Sequence, residues 1–202
     1  SLPALAAIRK RFPQARITVA SGSAAALVVE MSGSADRTMA IDRVSLRDGP
    51  KLRSLGLLAR LVGDVRRAGY DLAIDLHSLS ESNLLAFLSG ARERVFAQRG
   101  GRSLDFLATM RTPWEERDKH QVDRYLDVLA PLGIADAPRI PLLPTRRADD
   151  EFVQRMFEER GVTGDAMLAG LFPGASQPRR RWPLERFAAL ASRLEKNDGA
   201  RI

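Results

Sequence analysis

Residues 171–183 have the sequence Leu-Phe-Pro-Gly-Ala-Ser-Gln-Pro-Arg-Arg-Arg-Trp-Pro. An apolar run at 166–172 leads into them and predicts a buried strand, and the spacing of residues 184–196 predicts an amphipathic helix. A loop of small residues before a helix start exposes backbone N–H groups, and the arginines add positive charge. The stretch predicts an α/β unit with an anion-binding loop. An ordinary charged connection between a strand and a helix fits the same residues.

The rest of the chain alternates predicted helices and strands. Helices are predicted at 2–12, 52–68, 82–88, 119–132 and 149–160, and strands at 16–20, 43–46, 71–76 and 94–97. Residues 27–31 predict a short helix or strand, and 98–117 an irregular basic segment with one helical turn at 104–110. This alternation predicts an α/β fold with a mainly parallel sheet, in which ligands bind at the carboxyl ends of the strands.

A proline-rich segment predicts the boundary between two domains. Residues 136–147 begin with three prolines in close succession, which excludes a helix and favours an extended linker. The linker separates a first domain at 1–135 from a second that begins at 148. A doubly wound domain normally opens with a strand, whereas this chain opens with a helix. We therefore expect the first domain to lack its first strand and the second domain, 148–202, to be truncated.

Composition excludes several classes of protein and site. The chain has 202 residues, 45% of them hydrophobic, with no signal peptide pattern and no apolar run long enough to span a membrane. It has no cysteine, which removes disulfides and thiolate sites, and two histidines, which exclude a His-rich zinc site. The net charge of +7 indicates either an acidic partner or a solvated basic surface. The basic residues lack the interleaved aromatics of a nucleic-acid binder, so no nucleic acid partner is expected.

The order Pro-Gly-Ala-Ser, a spacer, two basic residues, Trp-Pro and then Glu-Arg-Phe closely resembles the ADP-heptose:lipopolysaccharide heptosyltransferases, glycosyltransferase family 9. Segments 2–19, 70–90 and 120–133 agree with that family in the same order. The resemblance implies a GT-B architecture: a Rossmann-like N-terminal acceptor domain and a Rossmann-like donor domain. It also implies inverting transfer of a heptose from ADP-heptose to the anionic lipopolysaccharide inner core or a related acceptor, without metal or cofactor.

The resemblance assigns roles to residues on both domains. The donor phosphates are expected to contact Gly174, Ala175, Ser176 and Arg180. Ala175 stands where a threonine is sometimes found and offers only its backbone N–H. Arg180 stands where the family usually has lysine, so the charge is kept but its geometry becomes a planar fork. The acceptor-side candidates are His77, Ser82 and His120.

The residues themselves leave alternatives open at these positions. His77 fits a histidine hydrogen-bonded in a helix cap, a contact to acceptor phosphate or a base, and His120 fits a helix cap. Trp182 fits a packed aromatic at the helix start as well as a nucleotide contact. Four arginines of the irregular segment fit either an anionic acceptor or a solvated loop: Arg99, Arg102, Arg111 and Arg117.

Three departures from the family pattern bear on activity. The catalytic base is expected in a Gly-Asp loop that would precede Ser1, so the catalytic residue is unknown. An Asp-Thr-Gly and His donor loop would follow Ile202, and His77-Ser78 stands where the family commonly has Gln-Gly. The chain by itself is therefore expected to be inactive. The expected protein is a cytoplasmic glycosyltransferase with peripheral contact to the inner membrane surface; the alternative is a non-catalytic nucleotide- or anion-binding α/β module.

Overall fold

The chain divides into two units, Ser1–Pro144 and Thr145–Ile202. A computed structural model describes residues 1–41, 51–99, 103–135, 137–140 and 143–202. The strand predicted at 43–46 lies outside the described residues, as does part of the proline-rich segment.

Unit 1 alternates helices with short strands. Its elements are α1 Leu2–Arg11, β1 Thr18–Ser21, α2 Ser23–Met31, β2 Arg37–Ala40, α3 Lys51–Ala68, β3 Leu72–Asp75, α4 Ser80–Leu88, β4 Glu93–Phe96 and α5 Gln121–Asp127. The helices and strands predicted before residue 98 form within one or two residues of their expected bounds, apart from 43–46, and 27–31 belongs to a helix. The sequence does not predict β2, because Arg37-Thr38-Met39-Ala40 has neither an apolar run nor a clear alternation.

The helix predicted at 119–132 is interrupted. It begins after His120 and is α-helical only to Asp127, and a 3-10 turn at Ala130–Leu132 follows. Pro131 lies in this turn and has no N–H to donate, so regular α-helical hydrogen bonding cannot continue through it. Gly133 then adopts φ +72, a left-handed conformation that glycine tolerates, and ends the segment.

The strands of unit 1 form two parallel two-stranded sheets, β1–β2 and β3–β4. Thr18 lies opposite Arg37 in the first sheet, and Leu72 lies opposite Glu93 in the second. A doubly wound sheet would place one more strand between β1 and β3. None of the described residues forms a strand there, which accounts for two sheets in place of one. The parallel pairing confirms the α/β class.

The main core of unit 1 is built on α1. Its buried residues come from α1 and from the chain after α5: Ala4, Ala7, Ile8, Leu129 and Ile134. Ile17, next to β1, and Ile74, in β3, pack against the same cluster. Both sheets therefore share one apolar core. A second cluster around Val95 and Val128 packs β4 against the segment that follows α5.

Unit 2 consists of two helices and the loop between them. The helices are α6, Arg147–Glu159, and α7, Leu184–Asp198. The strand predicted at 166–172 does not form: a single parallel bridge joins Leu168 to Arg201, with two backbone hydrogen bonds of 2.8 Å. Among the described residues, the pairing of these two segments does not extend beyond this bridge. The predicted strand positions thus meet in parallel without forming a regular sheet.

Candidate functional site

The loop between Phe172 and α7 leaves its own backbone donors free. Within the described part of the chain, the N–H groups of Gly174, Ala175 and Ser176 donate to no protein acceptor. The hydroxyl of Ser176 likewise has no partner there. Three successive uncommitted N–H groups and a hydroxyl are suited to the oxygen atoms of a phosphate. These are three of the residues that the family resemblance assigns to the donor phosphates.

The three arginines of this loop have different surroundings. A 3-10 turn at Pro178–Arg180 fixes their backbone. Arg179 donates from Nε to Oε1 of Gln177 at 2.9 Å, and Arg181 donates from Nε to the carbonyl oxygen of Ala175 at 2.9 Å. Across the residues that the structure describes, the exposed guanidinium of Arg180 has neither a hydrogen-bond nor an ion-pair partner. Arg180 is therefore the arginine of this loop whose guanidinium N–H groups are all free to bind a ligand.

An open groove of about 320 Å³ lies against the same loop. Its lining comes from both ends of the loop: Pro173, Gly174, Ala175, Arg181, Trp182 and Leu184. Gly174 and Ala175 are thus brought to the groove, whereas Ser176 and Arg180 do not line it. The groove pairs an apolar wall with the Arg181 side chain, a residue that sequence reasoning did not single out.

Trp182 is anchored to α7. Its ring meets the ring of Phe187 edge to face, with centroids 5.0 Å apart and an interplanar angle of 77°. This geometry is favourable for an aromatic pair and agrees with a packed aromatic at the helix start. The indole remains 42% exposed and also lines the groove. Pro183 occupies the N-cap of α7, which begins at Leu184.

In unit 1, a buried carboxylate organises the loop that follows β3. Asp75 Oδ1 accepts hydrogen bonds from the backbone N–H groups of His77, at 3.0 Å, and Ser78, at 2.8 Å. Its other oxygen, Oδ2, accepts from Nδ2 of Asn83 at 2.9 Å. Asn83 is fully buried, and its Oδ1 accepts in turn from the backbone N–H of Leu104 at 3.0 Å. The sequence shows Asp75 only as a polar strand end, and nothing in it pairs Asp75 with Asn83.

This buried network places His77 at the carboxyl end of β3. The side chain of His77 is exposed, and its Nε2 lies 3.2 Å from the hydroxyl oxygen of Tyr125. The two rings are tilted by 42° with centroids 5.4 Å apart. Ligands of parallel sheets bind at this edge. The structure therefore brings His77 together with Tyr125, a residue that the sequence presents only as part of an apolar helix stripe.

The other two acceptor-side candidates have capping contacts. The hydroxyl of Ser82 accepts from the N–H of Leu79 at 3.1 Å and donates to the carbonyl of Leu79 at 3.0 Å, at the start of α4. His120 is the N-cap of α5, and its Nδ1 accepts from the N–H of Val122 at 3.3 Å. His120 therefore caps its helix, as one of the two interpretations of its sequence position predicts. Neither residue contacts His77 through a described hydrogen bond.

Ion pairs neutralise part of the positive charge of the basic segment after β4. Arg99 pairs with Glu115, and Arg124 of α5 donates to the same carboxylate at 2.8 Å. Arg99 and Arg124 thus share one largely buried carboxylate. The guanidinium of Arg99 therefore stabilises the fold and is not free for a ligand. Arg102 lies outside the described residues, and Arg111 and Arg117 are exposed.

The model of one protein family matches residues 58–202 of the sequence: "Glycosyltransferase family 9 (heptosyltransferase)". The chain belongs to glycosyltransferase family 9. The matched region includes the buried network after β3, α5 and the whole Pro-Gly-Ala-Ser to Trp-Pro loop, which confirms the resemblance that this motif indicates. No curated protein sequence matches the chain at a significant level.

Solved structures of family 9 and of heptosyltransferases share the fold. A glycosyl transferase of family 9 from Veillonella parvula matches with a TM-score of 0.80 at 24% identity, covering 99% of this chain and 56% of the other. E. coli ADP-heptose lipopolysaccharide heptosyltransferase II matches with a TM-score of 0.68 at 17% identity, covering 96% and 56%. E. coli heptosyltransferase WaaC, solved with ADP-2-deoxy-2-fluoro heptose, matches with a TM-score of 0.67 at 18% identity, covering 100% and 62%.

These likenesses confirm a GT-B-like α/β fold for this member of family 9. The chain spans less than two thirds of the length of the solved proteins it matches. No helix among the described residues is long and apolar enough to cross a membrane. In the same residues, no group of three or more His, Asp or Glu side chains is arranged to hold a metal ion.

Proposed function

We propose that the full-length protein transfers a heptose from ADP-heptose to the lipopolysaccharide inner core or a related anionic acceptor, with inversion and without a metal ion. Family membership supports glycosyl transfer. Two structural relatives, an ADP-heptose heptosyltransferase and a heptosyltransferase solved with an ADP-heptose analogue, support the choice of donor.

The observation that carries this proposal is that the loop in unit 2 has hydrogen-bond donors without protein partners among the described residues. Gly174, Ala175 and Ser176 offer free N–H groups, and Arg180 offers a guanidinium without a protein partner among the described residues. In our proposal these groups bind the diphosphate of the donor. Charge on the leaving diphosphate increases as the glycosidic bond breaks, so cations and N–H dipoles placed there favour the transition state.

Arg180 acts as the main cation of the proposed donor site. Its planar guanidinium can hydrogen-bond two phosphate oxygens at once, whereas a lysine would act as a point charge. Arg179 and Arg181 each donate one N–H within the loop, to Gln177 and Ala175, and are assigned no direct contact with the diphosphate. Trp182, exposed in the groove beside Gly174, offers a ring face to the nucleotide.

Unit 1 carries the acceptor in this proposal, with residues 136–147 as the linker to the donor domain. His77 is the principal acceptor contact because its ring is exposed at the carboxyl end of β3. Ser82 and His120 lie at helix starts, where their capping bonds leave the Ser82 hydroxyl engaged and Nε2 of His120 open to the acceptor. The net charge of +7 favours an anionic acceptor and contact with the cytoplasmic face of the inner membrane.

A transfer assay with the full-length protein tests the proposal. The protein is incubated with ADP-heptose and heptose-deficient lipopolysaccharide, and mass spectrometry follows the acceptor while released ADP is quantified. We expect a mass increase of one heptose, equimolar ADP and unchanged rates in the presence of a chelator. ADP binding without any transfer to the acceptor would instead favour a non-catalytic nucleotide-binding module.

A further inference from the structure

A tyrosine and a histidine from distant parts of unit 1 form one polar pair. Tyr125 lies on α5, and His77 follows β3, yet the Tyr125 hydroxyl and His77 Nε2 are 3.2 Å apart. The Tyr125 ring also packs against the buried cluster of α1. Its hydroxyl is therefore held by a ring that the core fixes in place.

The chemistry of the two groups decides which of them donates. A phenol O–H is a stronger donor than an imidazole N–H, and the lone pair of a neutral imidazole is a stronger acceptor than a phenol oxygen. Tyr125 therefore donates to Nε2 of His77. The imidazole must then carry its proton on Nδ1, because the hydrogen bond at one ring nitrogen fixes the tautomer at the other.

The Nδ1 side of His77 is open. No residue in the described ranges hydrogen-bonds to His77 Nδ1, and the side chain is exposed. The backbone below it is fixed, since its N–H donates to the buried Asp75 carboxylate. A ring fixed through its backbone and through Nε2, with one exposed N–H, is preorganised to donate to a ligand oxygen.

We propose that Tyr125 is a positioning residue that orients His77, whose Nδ1–H binds a phosphate or carboxylate oxygen of the saccharide acceptor. This inference rests on the acceptor role of unit 1 in the proposed function. An anionic oxygen is the favoured ligand because a hydrogen bond to a charged acceptor is roughly twice as strong as a neutral one. Asp75 supports the same arrangement because its carboxylate accepts a hydrogen bond from the backbone N–H of His77.

The tautomer of His77 provides a direct test in the full-length protein. Nitrogen-15 NMR of the imidazole side chains should show His77 protonated on Nδ1. His120 is the internal control, because its Nδ1 accepts from the N–H of Val122 and its proton must lie on Nε2. Opposite tautomers for the two histidines support the pair, and an Nε2–H tautomer at His77 would overturn it.

Tyr125→Phe removes the hydroxyl and keeps the ring. We expect His77 to lose its Nδ1–H preference in this variant, while Tyr70→Phe, at the chain's other tyrosine, leaves it unchanged. His77→Gln, which restores the residue common in the family, serves as a second variant that removes the imidazole without removing a polar group. An unchanged His77 tautomer in Tyr125→Phe contradicts the positioning role.

Ligand binding is probed with glucose 6-phosphate and with glucuronate, which carry the two anionic groups on similar rings. We expect at least one probe to shift the His77 resonances, and Tyr125→Phe to weaken that probe about three- to tenfold, the loss of one hydrogen bond. The responding probe identifies phosphate or carboxylate, and no response from either overturns the ligand assignment. ADP binding, followed in the same samples, reports on the donor site separately, so failure of the proposed function would be seen independently.

Discussion

The hydroxyl of Ser78 accepts a hydrogen bond of 2.6 Å from the backbone N–H of Ala97, and thereby joins the ends of β3 and β4. The same hydroxyl donates to the carbonyl of Asp75 at 2.7 Å. Ser78 is fully buried and has a φ of +46, a left-handed conformation that favours glycine. Glycine is common at this position in the family resemblance. The two hydrogen bonds explain how a serine is accommodated there.

Ser78→Ala and Ser78→Gly separate backbone strain from hydrogen bonding. The alanine variant keeps the left-handed cost and leaves the Ala97 N–H buried without its partner, so we expect a loss of about 2–3 kcal/mol in the free energy of unfolding. The glycine variant loses the same bonds but relieves about 1 kcal/mol of strain. Urea denaturation of the full-length protein measures both. Equal stabilities for the two variants would contradict a strained backbone at residue 78.

Asn83→Ala should be among the most destabilising polar substitutions in unit 1. Asn83 donates to Oδ2 of the buried Asp75 carboxylate and accepts from the N–H of Leu104, so its removal takes a hydrogen-bond partner from that oxygen and from that N–H. We expect a loss of about 2–4 kcal/mol. Asn197→Ala, at the exposed end of α7, is the matched control and should change stability by less than about 0.5 kcal/mol. Similar losses in the two variants would argue against the buried network.

The carboxyl group of Asp36 is expected to make the stability of the folded protein depend on pH. The backbone N–H of Ile17, at 2.6 Å, and the guanidinium of Arg9 hold the pKa of the Asp36 carboxyl below its ordinary value of 3.8. A lowered pKa in the folded state stabilises the protein above the unfolded value, and this contribution is lost as the pH falls through the folded value.

Comparison of the wild type with Asp36→Asn over pH tests this contribution. The variant should be less stable at neutral pH, and the difference should shrink as the pH falls below about 4. Thermal unfolding at a series of pH values is sufficient. A stability difference that is constant from neutral pH to pH 3 would show that the pKa of Asp36 is not lowered.

The fold follows from the sequence where local patterns decide it. Apolar periodicity places α3, and Gly69 ends it with φ +63. The strand predicted at 166–172 does not form, and Leu168 makes a single parallel bridge to Arg201 in its place. Pro131 interrupts the predicted helix after α5. The sequence alone does not show at which residue the α-helical hydrogen bonding stops.

The site is less predictable because its contacts join distant residues. The Pro-Gly-Ala-Ser to Trp-Pro loop could be identified from the sequence, since its residues are contiguous and their spacing is characteristic. The pairing of Asp75 with Asn83, and of His77 with Tyr125, depends on packing between separate elements. Which arginine of 179–181 is uncommitted also depends on side-chain direction, which a run of three identical residues cannot reveal.

Isothermal titration of ADP into the full-length protein and its Arg180→Ala variant is the most direct test of the proposed donor site. Arg180 has no protein partner among the described residues, so its removal should cost little stability and weaken ADP about tenfold or more, the value of a charge-assisted hydrogen bond. Arg179→Ala is the matched control, because Arg179 is held by Gln177 and should change the affinity by less than about threefold. Wild-type affinity in the Arg180→Ala variant would contradict the assignment of this loop to the donor diphosphate.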